Sequence, residues 1–103
     1  MSAPAVTLAQ AWGRSERIVP RKIGDEVVLV PLAGRGADID SIYSLNRVAA
    51  FVWEALDGER TGEAVVGAVV ARFEVERERA AADYLELVET LRDLGAVVCR
   101  AEG

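Results

Sequence analysis

The sequence predicts an α+β domain of the winged helix-turn-helix type, a three-stranded antiparallel sheet followed by three helices. Three observations carry that expectation. β-Branched and aliphatic residues cluster in short runs before residue 46, and apolar residues after it recur at helical spacing. Between the two halves a β-prone run, Ile42-Tyr43-Ser44-Leu45, passes straight into a helix at Asn46. Asn is a preferred N-cap because its side-chain oxygen accepts a hydrogen bond from an unpaired N–H of the first turn.

Taken in order, residues 1–16 mix Ala, Pro, Ser and Gly with little periodicity and read as a flexible arm, leaving 17–103 as the folded domain. Trp12 in that arm docks either on the domain's own core or on a neighbouring molecule; the residues alone leave both open. Residues 18–32 read as two strands joined at Gly24-Asp25, a dipeptide suited to a tight turn. Pro31 marks a strand end or an edge. Residues 33–40, with two glycines and no pattern, are a loop, and 42–45 form the third strand.

The helices follow. Val48, Ala49, Phe51, Val52, Ala55 and Leu56 give helix one an apolar face, with Gly58 where a left-handed cap needs it. Thr61 suits the N-cap of helix two, which carries Val65, Val66, Val69, Val70 and Phe73 on one side. Helix three starts near Glu76 and ends at Leu94, with Gly95 in the C-terminal cap, and residues 96–99 close the chain as a short extended segment. At 100° per residue its apolar positions fill an arc of about 180°, wider than the ~100° that packing on one core requires. Either this helix is more buried than average, or one edge of the stripe (Ala80, Leu87 and Leu94, with Tyr84) lies beside the core.

Bulk properties narrow the function. A chain of 103 residues makes one domain. No apolar run approaches the length of a membrane span, and no signal peptide is evident. Cys99 has no internal disulfide partner, which fits a reducing cytoplasm. Without histidine, no Ser-His or Cys-His pair can be built. Cys99 among valines is a small core residue, and Asp38 and Asp40 lack the glycine and bidentate Glu of a calcium loop. No enzyme activity, cofactor or metal is expected; the chain reads as a binding module.

Charge separates the kinds of binding module. Residues 1–36 hold five basic against three acidic residues, and residues 37–103 hold seven against fourteen. Residues 74–93 alone hold seven acids against three Arg, unfavourable beside phosphates, so a nucleic-acid partner is not expected.

The corner stretch carries a resemblance. Leu45-Asn46, Ala50, Trp53, Leu56-Asp57-Gly58, Thr61 and Leu94-Gly95 with Val97, preceded by Pro20-Arg21 and the 27–32 strand, resemble the PqqD family over roughly residues 18–98. Its members are peptide chaperones and precursor-peptide recognition domains. The resemblance implies a domain that binds the leader of a ribosomally made precursor peptide and presents it to a modifying enzyme, often a radical S-adenosylmethionine enzyme. It further implies that the leader adds as a strand between the third strand and the third helix. Carried over by position, the strand side is Asp40, Ser41, Ile42, Tyr43, Ser44 and Leu45. The helix side is Arg77, Ala80, Tyr84, Leu87, Val88 and Leu91. Leu45 and Val88 also read as core residues, Phe51 and Trp53 read as structural, and Arg77 is either solvated or paired with an acidic leader side chain. A DNA-binding winged helix and a homodimeric adaptor, pairing through the Trp12 arm or the strand edge, are the alternatives.

Overall fold

The structure, a computed structural model, describes residues 6–31 and 43–101. Six strands and three helices appear among them: β1 (Ala11–Arg14), β2 (Ile18–Ile23), β3 (Glu26–Pro31), β4 (Tyr43–Leu45), α1 (Arg47–Ala55), β5 (Asp57–Thr61), α2 (Gly62–Phe73), α3 (Arg77–Asp93) and β6 (Val97–Ala101). The fold is α+β with two antiparallel three-stranded sheets, ordered β2-β3-β4 and β5-β1-β6. The first sheet followed by three helices is what the sequence predicts. The second sheet is not.

The β2–β3 hairpin turns at Gly24, whose φ of 64° is open to glycine at little steric cost. Pro20 occupies β2, an edge strand, where its missing N–H is tolerated. β4 pairs with β3 through Val27 opposite Leu45, Val28 opposite Ser44 and Leu29 opposite Tyr43. Strand alternation then puts Leu45 on the core side with buried Val27 and Leu29, Tyr43 half-buried beside it, and Ser44 on the exposed face. The loop expected over residues 33–40 and the Ile42 end of the third strand lie outside the described residues.

Asn46 caps α1 as predicted, its Oδ1 accepting from the Ala49 N–H at 2.8 Å. Thr61 caps α2 in the same way at 3.3 Å. Val52, Trp53, Ala55 and Leu56 bury α1, and Phe51 meets the Phe73 ring edge-on at 5.4 Å, tying α1 to the end of α2. Val65, Val66 and Val69 face the core from α2; Ala80, Tyr84, Val88 and Leu91 do so from α3. α3 ends at Leu94, followed by Gly95 at φ 74°.

The flexible arm assigned to residues 1–16 is corrected by β1. Residues 11–14 form the central strand of the second sheet, and Trp12 is buried in the domain's own core. The cause is polar as well as apolar. The first N–H groups of α2, at Gly62 and Glu63, donate to the Gln10 and Leu8 carbonyls at 3.0 Å, so this segment satisfies donors that a helix start leaves open. Buried Gln10 accepts from the Trp12 indole N–H at 3.1 Å and from Thr7 N–H at 2.9 Å. β5, where the sequence places only the Gly58 cap and the Thr61 N-cap, is the polar edge strand beside β1. The Asp57 carboxylate accepts from the Arg60 and Glu59 N–H groups at 2.9 Å, bonds that hold it below the usual carboxylate range.

Candidate peptide-binding groove

The order β2-β3-β4 leaves β4 with one strand neighbour among the described residues. An edge strand exposes unpaired N–H and C=O groups, a template for a further strand. α2 packs against both α1 and α3, whereas α1 and α3 make little direct contact. The space between them opens as a groove of about 950 Å³ running past β4.

Its floor is apolar and buried: Val52 of α1, Val69 of α2, and Ala80 and Tyr84 of α3. Half-buried walls rise from it. Tyr43, Val48 and Ala49 stand on the β4–α1 side, Leu87 and Thr90 on the α3 side, and Val75 at one end. The exposed rim is polar: Asn46 on one side, and Glu76, Arg79, Asp83 and Glu86 on the other. Arg79 lies 3.5 Å from the Asp83 carboxylate.

The residues carried over from sequence separate into five groups. Tyr43, Ala80, Tyr84 and Leu87 line the groove. Ser44 lies on β4 with its side chain exposed. Leu45, Val88 and Leu91 are core residues with 1%, 0% and 0% exposure, closed to a ligand by packing. Asp40, Ser41 and Ile42 lie outside the described residues. Arg77 does something the sequence reading did not consider: its guanidinium meets the Glu63 carboxylate of the same chain, bridging the starts of α3 and α2. Of the widened α3 stripe, Leu87 enters the groove while Leu94 is exposed beyond it, at the helix C-cap.

Tyr84 borders the groove yet is a core residue. It is 1% exposed, and its ring lies against Gly62 at the start of α2. Its hydroxyl is buried without a hydrogen-bond partner among the described residues. Burial pushes the phenol up to about 12, with a smaller electrostatic contribution from neighbouring Cys99.

Sequence reasoning missed the α1 contribution, Asn46, Val48, Ala49 and Val52. The periodicity of α1 marks its apolar face but not how much of that face α3 leaves uncovered. It also missed Glu76, Asp83 and Glu86, which enter only the acidic balance of residues 74–93.

Comparison with known proteins places this arrangement. Residues 26–97 match the family described as coenzyme PQQ synthesis protein D (PqqD). No curated protein sequence matches the chain. Among solved structures, TbiB1 in complex with the TbiA(beta) leader peptide is similar, with a TM-score of 0.68 and 25% identity over 82% of this chain and 93% of that one. With a match across most of its length and the α+β architecture above, the chain belongs to the PqqD family.

Proposed function

We propose that this protein is a non-catalytic recognition module that binds the leader of a ribosomally synthesised precursor peptide. The leader adds as an antiparallel or parallel strand to the edge of β4 that has no strand neighbour among the described residues, and every second side chain enters the groove between β4–α1 and α3. The bound leader presents its precursor to a modifying enzyme, a radical S-adenosylmethionine enzyme being one type that fits this reading.

One observation carries this reading: a sheet edge runs beside an apolar groove, in a chain similar to a solved structure of a complex with a leader peptide. Main-chain pairing along an edge supplies affinity with little regard to sequence, while alternate side-chain pockets choose among candidates. Tyr43 is on the same face as Leu45, so side chains of an added strand on that face continue the core layer into the groove. Leu87 meets them from α3.

Titration with the leader of a precursor peptide encoded beside this chain's gene tests the reading. Amide signals of residues 43–45, 48–49 and 87 are expected to move most. Largest shifts on β6 and β5 would place the peptide on the other sheet and contradict it.

A further inference from the structure

The groove is apolar at its floor but carries a net negative charge along one wall. Among its lining residues the charged groups are Glu76, Arg79, Asp83 and Glu86, all on the α3 side. The facing β4–α1 wall offers Tyr43, Asn46, Val48 and Ala49, none of them charged. Arg79 is turned to Asp83 at 3.5 Å, so these two offset each other. Glu76 and Glu86 have no ionic partner among the described residues, and Arg77, the other cation at this end of α3, is held by Glu63. An acidic partner for Arg77, one of the two courses open from sequence, is therefore the wrong sign for this wall.

We propose that the peptide accepted by the groove is basic on its α3-facing side, with Lys or Arg side chains set about four residues apart and aliphatic side chains seated on the floor. The spacing follows from geometry. Glu86 lies ten positions after Glu76, the N-cap of α3, about 15 Å along the helix at a rise of 1.5 Å. Four residues of a strand laid along α3 span about 13 Å and return to the same face. Two basic side chains at that interval reach both carboxylates, while their aliphatic stems cover the half-buried wall at Leu87. This inference rests on the groove being the peptide site, and it names the chemistry the site selects.

A displayed library of random twelve-residue peptides, selected on the full chain, tests it. Binders lost on Leu87→Glu report the groove. Among these, Lys and Arg are expected to be enriched in pairs four apart, with aliphatic residues nearby. The same peptides should bind the Glu76→Gln/Glu86→Gln protein roughly threefold to tenfold more weakly, with a flatter dependence on salt. Groove-dependent binders with no basic enrichment, or with equal affinity for the double variant, would overturn the charge selection and leave the groove intact. Binders indifferent to Leu87→Glu would overturn the groove itself, and the selection with it.

Discussion

Tyr84 and Gly62 are in mutual contact at the centre of the fold: a Cβ at Gly62 would lie 2.8 Å from Tyr84 Cε2 and 2.9 Å from Leu8 Cα. The glycine is there for space, since the tyrosine ring and the backbone of the N-terminal segment both close on it. Leu8 and Gln10 accept from the first N–H groups of α2 at this same place. One junction thus joins α3, α2 and the strand the sequence reads as an arm.

Gly62→Ala should destabilise the protein by about 1–3 kcal/mol, because a backbone atom cannot yield as a side-chain end can. Urea denaturation checks it. An unchanged midpoint would mean that Leu8 moves freely and the segment is not fixed.

Tyr84→Phe removes a buried hydroxyl that has no partner among the described residues, so stability at pH 7 should be unchanged or rise by up to about 1 kcal/mol. The pH response should change more. The folded phenol titrates at about 12, against an ordinary value of 10.0. Below pH 10 both folded and unfolded chains carry it neutral, and its burial has no ionisation cost. Between about 10 and 12 the unfolded chain ionises first, so stability falls as pH rises, by roughly 3 kcal/mol in all. The difference between wild type and Tyr84→Phe in urea midpoint, followed from pH 9 to about 11.5, isolates this residue. Parallel curves would contradict the raised phenol.

Trp12 and Gln10 provide a test of the second sheet. Gln10→Ala leaves the buried indole N–H and the Thr7 N–H without this acceptor and should cost about 1–3 kcal/mol. Trp12→Ala should cost about 3–5 kcal/mol. Were residues 1–16 an independent arm, thermal melts of both variants would match wild type.

Leu87 and Leu91, one turn apart on α3, should behave oppositely. Leu91 has no exposure, and Leu91→Ala should cost about 2–5 kcal/mol. Leu87→Glu should keep a native far-UV spectrum, because this side chain is half-buried on the groove wall, while weakening leader binding at least tenfold. An unfolded Leu87→Glu protein would make Leu87 core and remove the wall.

Much of this was readable from residue pattern. Local chemistry announces itself, so the Asn46 and Thr61 caps, the Gly24 turn and the valine face of α2 all lie where spacing put them. The breadth of the α3 stripe left two readings open: Leu87 stands on the groove wall beside the core, whereas Ala80 and Tyr84 are buried within it. Non-local pairing was not legible. Ala11-Trp12-Gly13-Arg14 has no alternation and only one strong strand former, and becomes a strand because β5 and β6 flank it and Trp12 is buried. The part of the groove that belongs to α1 was hidden for a related reason: it depends on α1 and α3 packing on α2 and leaving a gap, which no single helix encodes.

The most direct test of strand addition is an NMR structure-restraint experiment on the labelled protein with the leader of its neighbouring precursor peptide. Cross-strand Hα–Hα and amide contacts between the leader and residues 43–45, with leader side chains touching Leu87 and Val48, are the predicted result. A saturated complex whose leader shows no strand contacts to β4, or contacts only α2 and the second sheet, would contradict it.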